Sequence, residues 1–249
     1  MKRAVFAALV LIVAGLCHAV TVRAAEIAFW SWSADAPRHQ AIVAVRVQSG
    51  GGVSKLGSGV YIRHGQLAGV LTAAHCIGQS VEVTFSDGAK AVGEGLVSKD
   101  KADVGFCVVT HPTLTPVEFA PAAPQVGDVV EVASLGGPER RLRHFWARVE
   151  RVAGMMDYDS PVVPGDSGGA VFNQRGQVVS VMSHGRESEV PYMGTTVYAK
   201  SSSPTHAAVG AFLVRVATLC PPGGCLPRRR PQPVPPPELY PPHTPGPLI

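Results

Sequence analysis

Between Ala41 and Ala199 the chain is a succession of short apolar or alternating runs, each closed within a few residues by turn formers. The first set covers 41–47, 58–62, 70–72, 81–85, 89–97 and 103–109, six expected strands. Gly50-Gly51-Gly52, His64-Gly65 and Asp87-Gly88 punctuate it. A second set covers 129–133, 142–152, 169–172, 178–183 and 195–199. Many short strands with no interleaved helices restrict the chain to an all-β architecture of barrels. Between the sets, Pro112, Pro116, Pro121 and Pro124 block regular pairing and predict an extended connector over 113–126. Ser201-Ser202-Ser203-Pro204 predicts an N-cap and first-turn proline for one amphipathic helix carrying Ala207, Val209, Phe212, Leu213 and Val216.

The two ends have different compositions. Residues 1–24 begin with Lys2 and Arg3, continue in an apolar run from Ala4 to Leu16 and end in small residues, a secretory signal with cleavage expected after Ala19 or Ala24. Residues 25–39 form a lead. From Leu226 the chain is proline-rich to Ile249 and too poor in apolar groups to bury a core, so a solvated tail is expected. The formal charge of +4 is outweighed by these ends, where Lys2, Arg3 and Arg23 contribute +3 and Arg228 to Arg230 less Glu238 contribute +2, leaving −1 for residues 25 to 225. The body is therefore close to neutral, which excludes a nucleic-acid footprint on the folded part. No membrane association is expected once the signal is removed. Export permits disulfides among Cys76, Cys107, Cys220 and Cys225, and Cys220-Pro221-Pro222-Gly223-Gly224-Cys225 reads as a small closed loop over the start of 219–249.

Three motifs carry chemistry: Leu71-Thr72-Ala73-Ala74-His75-Cys76, then Asp103-Val104-Gly105-Phe106, then Gly165-Asp166-Ser167-Gly168-Gly169. They supply a hydroxyl nucleophile, an imidazole to take its proton and a carboxylate to fix the imidazole tautomer. The order His, Asp, Ser disfavours an α/β-hydrolase, in which both partners follow the serine; no Asp follows Ser167. With these flanks, residues 40 to 217 resemble the chymotrypsin/trypsin clan of serine peptidases. The style is that of bacterial high-temperature-requirement protease domains, with no appended peptide-binding domain expected beyond the helix.

The resemblance implies two six-stranded antiparallel β-barrels with one C-terminal helix, a chymotrypsin-like fold with barrels over 40–112 and 127–218. It implies His75 as base, Asp103 as its orienting acid and Ser167 as nucleophile, with Gly165 and Ser167 offering oxyanion N–H donors and no metal or organic cofactor. Ser183 would support Asp103 and begin the substrate-pairing edge with His184 and Gly185. Pro161, Val162 and Thr196 would form a pocket without a carboxylate, favouring small or medium apolar side chains; His184 and Arg186 keep an acidic preference as the alternative. Cys76 stands where relatives carry a half-cystine, with Leu56 near the usual partner's place; Cys76 pairs with Cys107 or both remain buried thiols. Asp166 needs a cation, and Arg140, Arg141 and Arg143 are the candidates. The chain is thus expected to be a secreted or periplasmic serine endopeptidase acting on proteins or peptides; a catalytically silent peptide-binding protein on the same scaffold is the rival.

Overall fold

Period-two burial builds two closed sheets in the computed structural model, which describes residues 36–48, 54–78, 80–137, 140–192 and 195–220. On β1 (Ile42–Gln48), Val43, Val45 and Val47 point inward while Arg46 is exposed. The first sheet continues with β2 (Ser54–His64), β3 (Leu67–Thr72), β4 (Val81–Thr84), β5 (Lys90–Gly93), β6 (Gly95–Val97) and β7 (Gly105–Cys107), in the order β5-β4-β1-β2-β3-β7-β6. The two ends of that path are consecutive in the chain. The run expected as one strand over 89–97 is broken at Glu94, pairs β4 on one side of the break and β7 on the other, and so closes six runs into a barrel. The break falls where Val109, Cys107 and Ile77 crowd the backbone, so only Gly93 and Gly95 fit.

The expected connector is not purely extended. Its β8 (Val117–Glu118) pairs parallel with Ile62 and Arg63 of β2, and Ala120 N–H bonds the Val178 carbonyl at 2.8 Å, stitching it to both barrels. The second barrel contains β9 (Val129–Ser134), β10 (Arg143–Ala153), β11 (Met155–Tyr158), β12 (Ala170–Phe172), β13 (Val178–Val181), β14 (His184–Tyr192) and β15 (Thr195–Pro204), ordered β13-β12-β9-β10-β11-β15-β14. Again the path ends are consecutive, and one run changes partner at Met182–Ser183: Met182 N–H bonds Gly169 and Ser183 N–H bonds Ser202. This barrel also has six continuous runs. β11 and β14 escaped the sequence reading because β11 follows β10 directly through Gly154 (φ +71°) and β14 lacks an apolar alternation.

The helix start differs from expectation. Ser201 to Pro204 extend β15 and pair with β11, and their hydroxyls are engaged inside the barrel: Ser201 meets Ser160 at 2.8 Å and Ser203 meets Tyr158 at 2.7 Å. Thr205 is the N-cap, accepting from Ala208 N–H at 3.3 Å, and α1 spans His206–Leu219. Val209, Phe212, Leu213 and Val216 are buried as expected; Ala207 is exposed. The signal segment, Cys225 and the proline-rich tail lie outside the described residues. None of the described helices is long and apolar enough to cross a membrane.

A buried ionic cluster ties the lead to the second barrel. Glu131 receives Arg38 Nε at 2.6 Å and His39 Nε2 at 2.8 Å, with His144 Nδ1 at 3.0 Å. The three His and Glu ligand atoms lie within 4.8 Å of one another, yet Arg38 already supplies the cation that neutralises the carboxylate. Burial raises the Glu131 pKa, and the bonds from His39 and Arg38 outweigh it, leaving the group below its ordinary value. A depressed carboxyl contributes stability above its unfolded pKa and loses it as pH falls through the folded value. Urea titrations are expected to show Glu131→Ala destabilised by about 3–5 kcal/mol at neutral pH, and Glu131→Gln with a flatter acid limb than the parent.

Candidate active site

The motif around Ser167 is a tight turn between the bridge at Val162 and β12. Gly165 and Gly168 have φ of +95° and +82°, and a side chain at 168 would collide with the Ser58 carbonyl and the Thr72 hydroxyl. Asp166 points inward and is buried. Arg143 Nη1 meets its carboxylate oxygens at 3.0 and 3.1 Å, Ser134 donates at 2.5 Å and Val163 N–H at 2.8 Å. Of the three candidate cations, Arg143 is the partner; Arg140 instead donates to the Gly57 carbonyl at 2.9 Å. Burial raises the Asp166 pKa, and Arg143, Ser134 and Val163 pull against that rise.

The first barrel clamps the same turn through Ser58, which sequence reasoning missed. Its N–H donates to the Ser167 carbonyl at 2.8 Å and its hydroxyl to the Gly165 carbonyl at 2.7 Å. With those carbonyls held, the N–H groups of Gly165 and Ser167 reach no acceptor among the described residues. The available signal was Gly57-Ser58-Gly59, a polar residue between glycines inside an apolar strand.

His75 lies in a short 3-10 turn, Ala74–Cys76, directly after β3. Its Nδ1 meets Asp103 Oδ2 at 2.8 Å, and its backbone N–H donates to Oδ1 at 3.0 Å. Ser183 donates to the same Oδ2 at 2.5 Å and also contacts His184 Nδ1. Ser183 reaches this place because the chain changes partner there. Burial raises the Asp103 pKa, but bonds from His75 and Ser183 outweigh it and hold the carboxyl at about 2. The hydrogen bond to Asp103, helped by Cys76, raises His75 well above the ordinary histidine value. The Ser167 hydroxyl donates to the Ser183 carbonyl at 3.4 Å and makes no hydrogen bond to His75 among the described residues.

These groups border one cleft of about 830 Å³. Val162, Ser183, His184 and Gly185 line it as expected; Pro161 and Thr196 do not. Val163 and Tyr198 take their places. Thr196 and Tyr198 share a face of β15, but Tyr198 is the residue bridged to Val162, at 2.9 and 3.0 Å, and its side chain fills the place a Cβ at Gly185 would take. Cys76 and Cys107 are buried free thiols, so the alternative pairing fails. The position opposite Cys76 is Gly57 rather than the exposed Leu56: a Cβ at 57 would lie 2.5 Å from Cys76 Sγ.

Residues 57–181 match the family model of the trypsin-like peptidase domain. The chain belongs to this family. Among solved structures, the active form of the Rv3671c protease from M. tuberculosis is similar over 76% of this chain and 83% of its own, at 21% identity and a TM-score of 0.57. The HtrA-type protease AlgW with tripeptide is similar over 72% and 61%, at 16% identity and a TM-score of 0.56. A serine endoprotease from Yersinia pestis follows at 72% and 62%, 21% identity and a TM-score of 0.52. The chain spans less than two thirds of the length of the last two, and at such identities the likeness is one of fold. No curated protein matches. For this trypsin-like peptidase, Arg143→Ala leaves Asp166 buried without its cation and is expected to cost about 3–5 kcal/mol by thermal or urea unfolding. Arg143→Lys, a point charge in place of a planar guanidinium, is expected to recover only part of the loss.

Proposed function

We propose that this trypsin-like peptidase is an exported serine endopeptidase that cleaves peptide bonds through an acyl-enzyme on Ser167. Family membership implies protein or peptide substrates. The observation that carries the catalytic reading is the Asp103 carboxylate, shared between His75 and Ser183 at the edge of the cleft that Ser167 also borders. In the proposed reaction the Ser167 oxygen attacks the scissile carbonyl while His75 Nε2 takes its proton. Asp103 fixes the tautomer that leaves Nε2 free and stabilises the imidazolium as it forms. The N–H groups of Gly165 and Ser167 receive the oxyanion, a contribution of about 2.7–4 kcal/mol per donor. His75 then passes its proton to the leaving amine as the C–N bond breaks, and water attacks the ester in the mirror-image step. A peptide N-terminal to the scissile bond pairs with the free edge of β14, and its last side chain enters a pocket bounded by Val162, Val163, Gly185 and Tyr198. No carboxylate there is free to meet a buried cation, so small or medium apolar side chains are favoured over Lys and Arg.

Export rests on residues 1–24 and the proposed Cys220–Cys225 bridge; N-terminal sequencing of the exported chain is expected to give Val20 or Ala25. A silent peptide-binding protein is the second reading, favoured by one observation: the Ser167 hydroxyl bonds the Ser183 carbonyl and not His75. Catalytic hydrogen bonds of this kind are often loose without substrate. A serine-reactive phosphonate separates the readings. Labelling of Ser167, abolished in Ser167→Ala together with a loss of turnover of about 10⁴–10⁶-fold, is expected; an unlabelled wild-type protein supports the binding reading.

The pH profile supplies another test. Because His75 is raised by its bond to Asp103 and acts as base only when neutral, kcat/KM is expected to climb with pH to a midpoint above the ordinary value of about 6.5. Asp103→Asn removes the raising charge. It is expected to shift that limb downward while lowering the plateau by about 10⁴-fold, and a limb that stays in place would put the titrating group elsewhere.

A further inference from the structure

The ionisable groups of the cleft are unbalanced. Two carboxylates border it, and both are spent inside the protein: Asp166 is buried on Arg143, and Asp103 receives His75 and Ser183. Lys101 and His184 border the same cleft, are exposed, and have no acidic partner among the described residues. Lys101 is also one of two non-glycine residues with positive φ among the described residues, at +58°.

The orientation of His184 follows from proton counting. Ser183 has one hydroxyl proton and gives it to Asp103, an ionised carboxylate that only accepts. The contact between Ser183 Oγ and His184 Nδ1 must therefore run from the ring N–H to the hydroxyl. Nε2 is left as the basic atom. Around this ring are Ser183 on its own run, His75 at 6.0 Å between ring centroids and Asp103 beyond Ser183, and Tyr198 and Lys101 line the same cleft.

On the reading of the cleft as a peptidase site, we propose that the protein selects substrates with Asp or Glu immediately before the residue that fills the pocket, the carboxylate resting between the Lys101 ammonium and the His184 ring. The register follows from strand alternation. A peptide paired with the β14 edge sends successive side chains to opposite faces, so when one enters the pocket by Gly185 and Tyr198, its N-terminal neighbour lies over the gap between His75 and His184. A carboxylate there meets Lys101 and His184, and among the described residues neither carboxylate that borders the cleft is left unpaired.

The test uses peptide pairs identical except for Glu or Gln at that position, read as kcat/KM on the wild-type protein and as affinity for Ser167→Ala by fluorescence anisotropy. At low salt Glu is expected to be favoured by about fivefold to tenfold, and hardly at all in 500 mM NaCl. Lys101→Met, on an exposed residue, and His184→Gln are each expected to remove part of the ratio, and the double variant to bring it to about 1. Cleavage without any Glu preference overturns this inference and leaves the catalytic reading standing. Salt-sensitive Glu preference in binding without cleavage does the reverse. Equal affinity for both peptides, no measurable binding of either, or a ratio untouched by Lys101→Met and His184→Gln overturns it outright.

Discussion

A single buried carboxylate, Asp166, fixes the geometry on which the cleft depends. Left ionised in the interior without a partner it would cost several kcal/mol, and four contacts from three chain segments offset that cost: two from Arg143 on β10, one from Ser134 on β9 and one from Val163 N–H. Each is short only if the turn holding Ser167 has the conformation observed. The cation is an internal residue of the second barrel, so folding that barrel is enough to seat the turn. Ser58 then fastens the seated turn from the other side, which ties the first barrel to the second at this point.

Closure of the second barrel puts the remaining groups in place. A run of chain that pairs with β12 and then with β15 must change partner somewhere, and at that step its backbone is released from one neighbour before it meets the next. Met182–Ser183 is the step, so the Ser183 hydroxyl and carbonyl are available at the barrel mouth, one to Asp103 and the other to Ser167. The edge left unpaired beyond it is the start of β14. One topological necessity thus supports the carboxylate, holds the serine and leaves the strand edge open.

How much was legible in the sequence depended on range. Period-two runs and glycine turns gave two sets of strands, six in the first and five in the second, because alternation and turn chemistry are local properties, while the six-strand count of the second barrel came from the resemblance. The order of His75, Asp103 and Ser167 gave the residues that meet at the cleft. Contacts whose partners lie far apart in sequence were harder: Arg143 was one of three candidates, Ser58 was not a candidate, and Tyr198 was displaced by Thr196, which shares its face but not its bridge to Val162. Ser201 to Ser203 misled for a related reason. Three serines before a proline look like a helix cap when their cross-strand partners Ser160 and Tyr158 are not in view.

The two barrels divide the electrostatic labour of the cleft. The first supplies His75, Asp103 and Lys101, and the second supplies Ser167, the backbone donors and His184. In the proposed reaction positive charge develops on His75, whose ring stands 6.0 Å from that of His184. A protonated His184 alone would oppose that charge. In the proposed complex, a substrate carboxylate seated between His184 and Lys101 offsets that opposition while the imidazolium forms. In that proposal the substrate carboxylate acts more strongly on the transition state than on the bound ground state, and only that differential raises the rate of the chemical step.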